Sequence, residues 1–195
     1  MKKSIMISLF ISLGTYLALS PIFWRLTSYL HPIVLAVLLF CIFFLVYFFV
    51  LLIRKESIHI SSRLFLSLFI LYSIGLLILL FLRPNDQSYN SMNLIPFSTI
   101  SFYLSGKVNW LISFYNLAAN VGLFIPYGIY LLLKNYSPLK LIFIPMVLIA
   151  FIEIMQLITH RGSLDIDDLI LNLAGVFIGY LFFPLFKKAV TIHAK

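Results

Sequence analysis

Six stretches of mostly apolar residues dominate this chain, each near the length of about twenty residues that a helix needs to cross a bilayer. They fall at residues 5–23, 32–53, 64–82, 110–133, 139–158 and 169–186. The chain is 63% hydrophobic and 10% charged, with a mean hydropathy of +1.09, far from a soluble domain's composition. In hydrocarbon the backbone polar groups find partners only within the protein, so every run is expected to be helical. The expected fold class is all-α, a polytopic integral membrane bundle of about six transmembrane helices. Lys2 and Lys3 ahead of the first run resemble a signal peptide. That run is nonetheless long enough to span, and is read as a retained first helix.

In a soluble protein the net charge of +8 would suggest nucleic acid. Here the basic residues flank apolar runs, where they orient the chain and meet lipid headgroups, so no nucleic-acid role is expected. One side of the membrane would carry Lys2, Lys3, Arg54, Lys55, Arg63, Lys134, Lys140, Lys187, Lys188 and Lys195, ten of the fourteen Lys and Arg. The other would carry Arg25, Arg83, Lys107 and Arg161. That bias predicts cytoplasmic termini and puts the 83–109 and 159–168 loops outside. Three regions follow: two helices over 1–59, a four-helix membrane domain over 60–186, and a basic cytoplasmic tail over 187–195. Cys41, the single cysteine, excludes a disulfide framework within the chain.

Polar side chains within spans are costly and point to function by default. Asn116 and Asn120, four apart, share a helix face that Tyr127 continues one turn deeper. Glu153 and Gln156, three apart, share another. The stretch RGSLDIDDLILNLAG, residues 161–175, holds three of the chain's six acids. At 100° per residue, Asp165, Asp168, Asn172, Gly175 and Gly179 occupy an arc of about 80°. Acids at the mouth thus lead through an amide to two glycines that allow another helix to come close. Asp167 points to the opposite side and is expected to be solvated.

Each feature has two readings. Asp165 serves as a helix N-cap with Asp168 at N3, or both acids belong to a site. The asparagines act as interhelical hydrogen bonds, or they line that site. Glu153 needs a partner, for which Arg161 is suited, or a raised pKa. Residues 91–100, SMNLIPFSTI, are too apolar for an ordinary loop and are expected to lie at the interface or re-enter the membrane. No ligand spacing supports a cation on Asp165, Asp168 and Glu153, and no phosphate loop, HExxH or zinc pattern occurs. No metal or cofactor is expected.

These residues together resemble the VanZ-like family of bacterial membrane proteins. The matching pieces are NLIPF at 93–97, NLAANVGLFIPYG at 116–128 and EIMQLITHRGSLDIDDLILNLAGVFIGY at 153–180. The resemblance covers roughly residues 60–185 and implies an all-helical protein of the bacterial envelope. The family's name comes from a member linked to resistance to teicoplanin, a glycopeptide antibiotic. An outward polar pocket is expected, lined by Asn116, Asn120, Glu153, Gln156, Arg161, Asp165, Asp168 and Asn172, with Arg83 and Asn93 at its rim. Its partners would be membrane lipids, a lipid-linked cell-wall precursor or the glycopeptide itself. The alternatives are a membrane enzyme with Glu153 or Asp168 as general base, and an assembly protein whose polar cluster only holds helices together.

Overall fold

The computed structural model describes residues 2–27, 33–81 and 92–193. Seven helices account for most of them: α1 (Lys2–Thr27), α2 (Ile33–Arg54), α3 (Ser62–Phe81), α4 (Ser98–Leu104), α5 (Trp110–Leu133), α6 (Pro138–Ile158) and α7 (Ile166–Ala189). Short strands β1 (Ile58–Ser61), β2 (Met92–Asn93), β3 (Leu164–Asp165) and β4 (Val190–His193) lie between or after them. Among the described residues, α3, α5, α6, α7 and all but the last residues of α1 are long and apolar enough to cross a membrane. The second apolar run forms α2 over 22 residues. The chain is an all-α, multi-pass membrane protein. Several boundaries differ by a few residues from the sequence reading. α1 continues past Pro21 to Thr27, and α7 begins at Ile166, immediately after the capping residue Asp165.

The chain divides into two compact units, residues 1–62 with 185–195, and residues 63–184. In the first, α1 packs along α2. Ser4, Ser8 and Ser12 recur every four residues on α1 and are buried, as small residues allow between membrane helices. The Ser8 hydroxyl donates to the Ser4 carbonyl (2.8 Å) and that of Ser12 to the Leu9 carbonyl (3.1 Å), so burial leaves neither unbonded. The Ser4 hydroxyl donates to Glu56 (2.7 Å), which also pairs with Arg54 (2.9 Å). Those bonds, the serine's first, hold the Glu56 pKa down to about 2.

The β1 and β4 strands pair in parallel, Ile58 opposite Val190 and Ser61 opposite His193. Alternation sends Ile58 and Val190 onto a core of Tyr47, Leu51 and Ala189. On the other face the imidazoles of His59 and His193 stack and share a 2.8 Å hydrogen bond.

In the second unit α3, α5, α6 and α7 share a core of Leu76, Leu80, Phe124, Leu131, Ile149 and Val176. Here α5 and α7 meet backbone to backbone. A Cβ on Gly128 would collide with the Val176 carbonyl, one on Gly175 with that of Val121, and one on Gly179 with that of Ile125. The two glycines of the α7 stripe thus meet a helix, as their spacing predicts, and Gly128 answers them from the other side. Phe69 stacks on Tyr130 with ring centres 4.0 Å apart and meets Tyr127 edge-on, so Tyr127 belongs to this aromatic packing.

Proline leaves a specific debt in α6. Pro145 has no N–H, so the Leu141 carbonyl one turn earlier loses its helical donor. The Tyr180 hydroxyl on α7 donates to that carbonyl at 2.6 Å. Leaving a buried acceptor unmet costs about 1–3 kcal/mol, so this single hydroxyl ties α7 to α6. Tyr180→Phe is expected to lower unfolding stability in detergent by about 1–2 kcal/mol. In a Pro145→Ala background, where the backbone donor returns, the same change should cost much less. Equal penalties in the two backgrounds would remove the coupling.

Candidate functional site

Polar residues of the second unit collect at one end, where α5 begins, α6 ends and α7 starts. Parallel pairing of β2 with β3 sets Met92 opposite Leu164 and Asn93 opposite Asp165. Residues 92–104 are thereby laid beside the start of α7. They form a two-residue strand, a turn and the short helix α4.

Two aspartates hold that segment. Asp165 Oδ1 accepts the backbone N–H of Asp167 (2.9 Å), so the capping reading is realised. Its Oδ2 accepts the Thr99 hydroxyl (2.6 Å), and the Asn93 amide lies 3.3–3.4 Å from both oxygens. The same amide donates to the hydroxyls of Ser98 (2.6 Å) and Thr99 (2.9 Å).

Asp167 overturns the expectation that it is solvated: it is 0% exposed. Its carboxylate accepts the backbone N–H groups of Phe97, Thr99 (2.7 Å) and Ile100 (3.1 Å). The physical reason lies in α4. Phe97, at its N-cap with φ +64°, has no side chain that can accept, so the first-turn N–H groups have no local partner. A carboxylate from another element takes their place, and the helix dipole favours its charge there. The opposite side of α7 is therefore covered by the 92–104 segment. A helical wheel cannot show that cover, although the apolar character of SMNLIPFSTI signals that the segment is not an ordinary loop.

The stripe itself continues inward. The Asn120 amide donates to Asp168 at 2.6 Å, joining α5 to α7. One turn deeper, the Asn172 amide lies 3.4 Å from Glu153, joining α7 to α6. Both carboxylates named as candidate bases thus meet asparagines of a facing helix. Glu153 is 5% exposed and Asn172 3%. Asn116 donates to the Tyr103 hydroxyl at 3.2 Å, tying α5 to α4.

Gln156 has a different task. Its amide donates to the Leu80 carbonyl (3.2 Å) in the last turn of α3, one of the carbonyls a helix end leaves unmet. Gly162 packs against the Gln156 side chain, where an added Cβ would sit 3.1–3.3 Å from it. Arg161 is half-buried in the loop between α6 and β3. Arg83 lies outside the described residues.

The sequence reading missed Ser98, Thr99, Tyr103 and Ser113. Ser113 lies one turn before Asn116 on α5 and is buried. Its position three residues ahead of an asparagine was the available signal, since that spacing keeps both on one face. Among the described residues, Ser113 Oγ and Asn172 Oδ1 are buried without a hydrogen-bond partner. Among the described residues this end brings together two carboxylates, each met by an amide, and an amide oxygen without a hydrogen-bond partner.

The fold and this polar end define a multi-pass membrane protein with a buried polar cluster between its helices. Residues 69–187, well over half of the chain, match the model of the VanZ/LLP1 family, and the chain belongs to that family. No curated protein and no solved structure matches it.

If Asp167 anchors the 92–104 segment, Asp167→Ala should destabilise the protein by about 3 kcal/mol, the scale of charge-assisted bonds to a buried carboxylate. Hydrogen exchange should speed up first at the amides of residues 97–100. Unchanged exchange there would show that the carboxylate holds nothing.

Proposed function

We propose that this VanZ/LLP1 protein sits in the bacterial cytoplasmic membrane and binds the polar head of an envelope molecule at an outward-facing site. Candidates are a membrane lipid, a lipid-linked cell-wall precursor or a glycopeptide such as teicoplanin. One observation carries the reading. Glu153, Asp168, Asn120 and Asn172 converge from three apolar helices at a single end, and Asn172 keeps an open acceptor although buried. Polar groups in membrane helices that serve packing alone normally satisfy one another. The bias of Lys and Arg supports the outward orientation of that end. Asp165, Asp167, Asn93 and Gln156 frame the site, and Arg161 at its edge suits a phosphate or carboxylate.

A second reading is favoured by the burial of Glu153, which suits a general base acting on a lipid-linked substrate. Turnover of purified lipid-linked precursor separates the two: an enzyme releases product and a binding protein does not.

Two measurements test the proposal. In intact cells, a thiol reagent that cannot cross membranes should label Lys107→Cys and leave Lys134→Cys unlabelled; the reverse pattern would invert the orientation. Glu153→Gln and Asp168→Asn, at wild-type surface levels, should each weaken retention of co-purified lipid or precursor about tenfold. Any change in glycopeptide susceptibility that the protein confers should diminish with it. Retention and susceptibility that survive both substitutions would rule out a binding role for this end.

A further inference from the structure

We infer that His59 and His193 form a surface site for a divalent transition metal, which clips β4 onto β1. The two residues are 134 positions apart, so no ligand spacing in the sequence announces them. Parallel register brings them together, with His59 opposite Thr191 and Ser61 opposite His193. Alternation then puts both imidazoles on one face of the strand pair. The other face is seated through Ile58 and Val190 on the core of Tyr47, Leu51 and Ala189, which backs the strands beneath the rings.

Nδ1 of His59 and Nε2 of His193 face each other at 2.8 Å, with the ring planes 19° apart. Both residues are exposed. One of the facing nitrogens carries a proton and the other accepts it; without that proton, two lone pairs aim at one point. Neutral imidazole is the commonest protein ligand of metal ions. With a metal about 2.0–2.1 Å from each nitrogen, a tetrahedral angle sets the nitrogens about 3.3 Å apart. Rotation of two exposed side chains supplies the extra distance, about half an ångström. The shared proton passes through water to the outer nitrogen of its own ring. Both rings then coordinate as neutral tautomers, and no net proton is released.

The surroundings select the cation. Arg54, Lys55 and Arg63 flank β1 in sequence, and Lys187 and Lys188 precede β4. Glu56, the nearest carboxylate in sequence, is held by Ser4 and Arg54. Among the described residues no third His, Cys, Asp or Glu completes a ligand set, so water fills the other positions. Mg²⁺ and Ca²⁺ need several oxygen ligands, carboxylates above all, and are disfavoured. Imidazole pairs suit Zn²⁺, Ni²⁺ and Cu²⁺, with Cu²⁺ bound most tightly. A metal held by both rings opposes the release of residues 190–193 from β1.

The test titrates the full-length protein, purified without a polyhistidine tag, with Cu²⁺, Ni²⁺, Zn²⁺ or Mg²⁺ alone and reads binding by calorimetry. The three transition metals should bind and Mg²⁺ should not. His59→Gln and His193→Gln should each weaken binding at least about tenfold. His160→Gln, a histidine outside the pair, should leave it unchanged. Metal at a hundred times its Kd should slow hydrogen exchange at residues 58–61 and 190–193 about a hundredfold where exchange requires the strands to part. In the two variants the same metal concentration should leave exchange unchanged. Absence of transition-metal binding, binding that survives both substitutions, or equal loss in His160→Gln overturns the site. Binding that depends on both histidines while exchange in β1 and β4 ignores the metal overturns the clip.

Discussion

A peptide group inside a membrane has no water to fall back on, and every departure from regular helix must be met by another part of the protein. Much of the second unit follows from that demand. Pro145 frees a carbonyl and Tyr180 meets it. The end of α3 exposes a carbonyl at Leu80 and Gln156 meets it. The start of α4 exposes N–H groups and Asp167 meets them. Each solution is also a tertiary contact, so local irregularities fasten helices that apolar packing alone would hold loosely, since lipid tails compete on equal terms with leucine.

The same logic sorts the polar residues by role. Asp167, Asp165 and Gln156 answer backbone or hydroxyl donors and acceptors that the fold itself creates. Asn120, Asp168, Glu153 and Asn172 answer one another across helices, and they do so incompletely, leaving Asn172 Oδ1 open. Structural polar groups in a low-dielectric interior tend toward full satisfaction, because an unmet one is costly.

Much of this was legible in the sequence because it rests on local periodicity. Apolar runs marked the membrane helices, and 100° per residue marked the stripe from Asp165 through Asn172 to the glycines. Capping by Asp165 follows from residue type and position. The misreading of Asp167 has the complementary cause. A helical wheel tells which side a residue faces but not what lies there, and a segment about seventy positions earlier covers it. Tyr180 escaped for the same reason, since a proline marks the missing bond without naming the hydroxyl that replaces it. Two-residue strands such as β2 and β3 are too short to leave any alternation to read.

The parallel pairing of β1 with β4 sets an order of events during synthesis. His59 and His193 are 134 positions apart, so the strand at 58–61 waits for its partner until all of the second unit has left the ribosome. Contacts of such long separation form late, after the loop they close has been ordered. The first two helices can enter the membrane early, but the unit they belong to is finished only once residues 185–193 arrive. Residues 190–193 therefore close the first unit last. A chain that stops short of 190 leaves an unpaired strand edge and an uncovered apolar face at Ile58, features that quality-control proteases and chaperones engage.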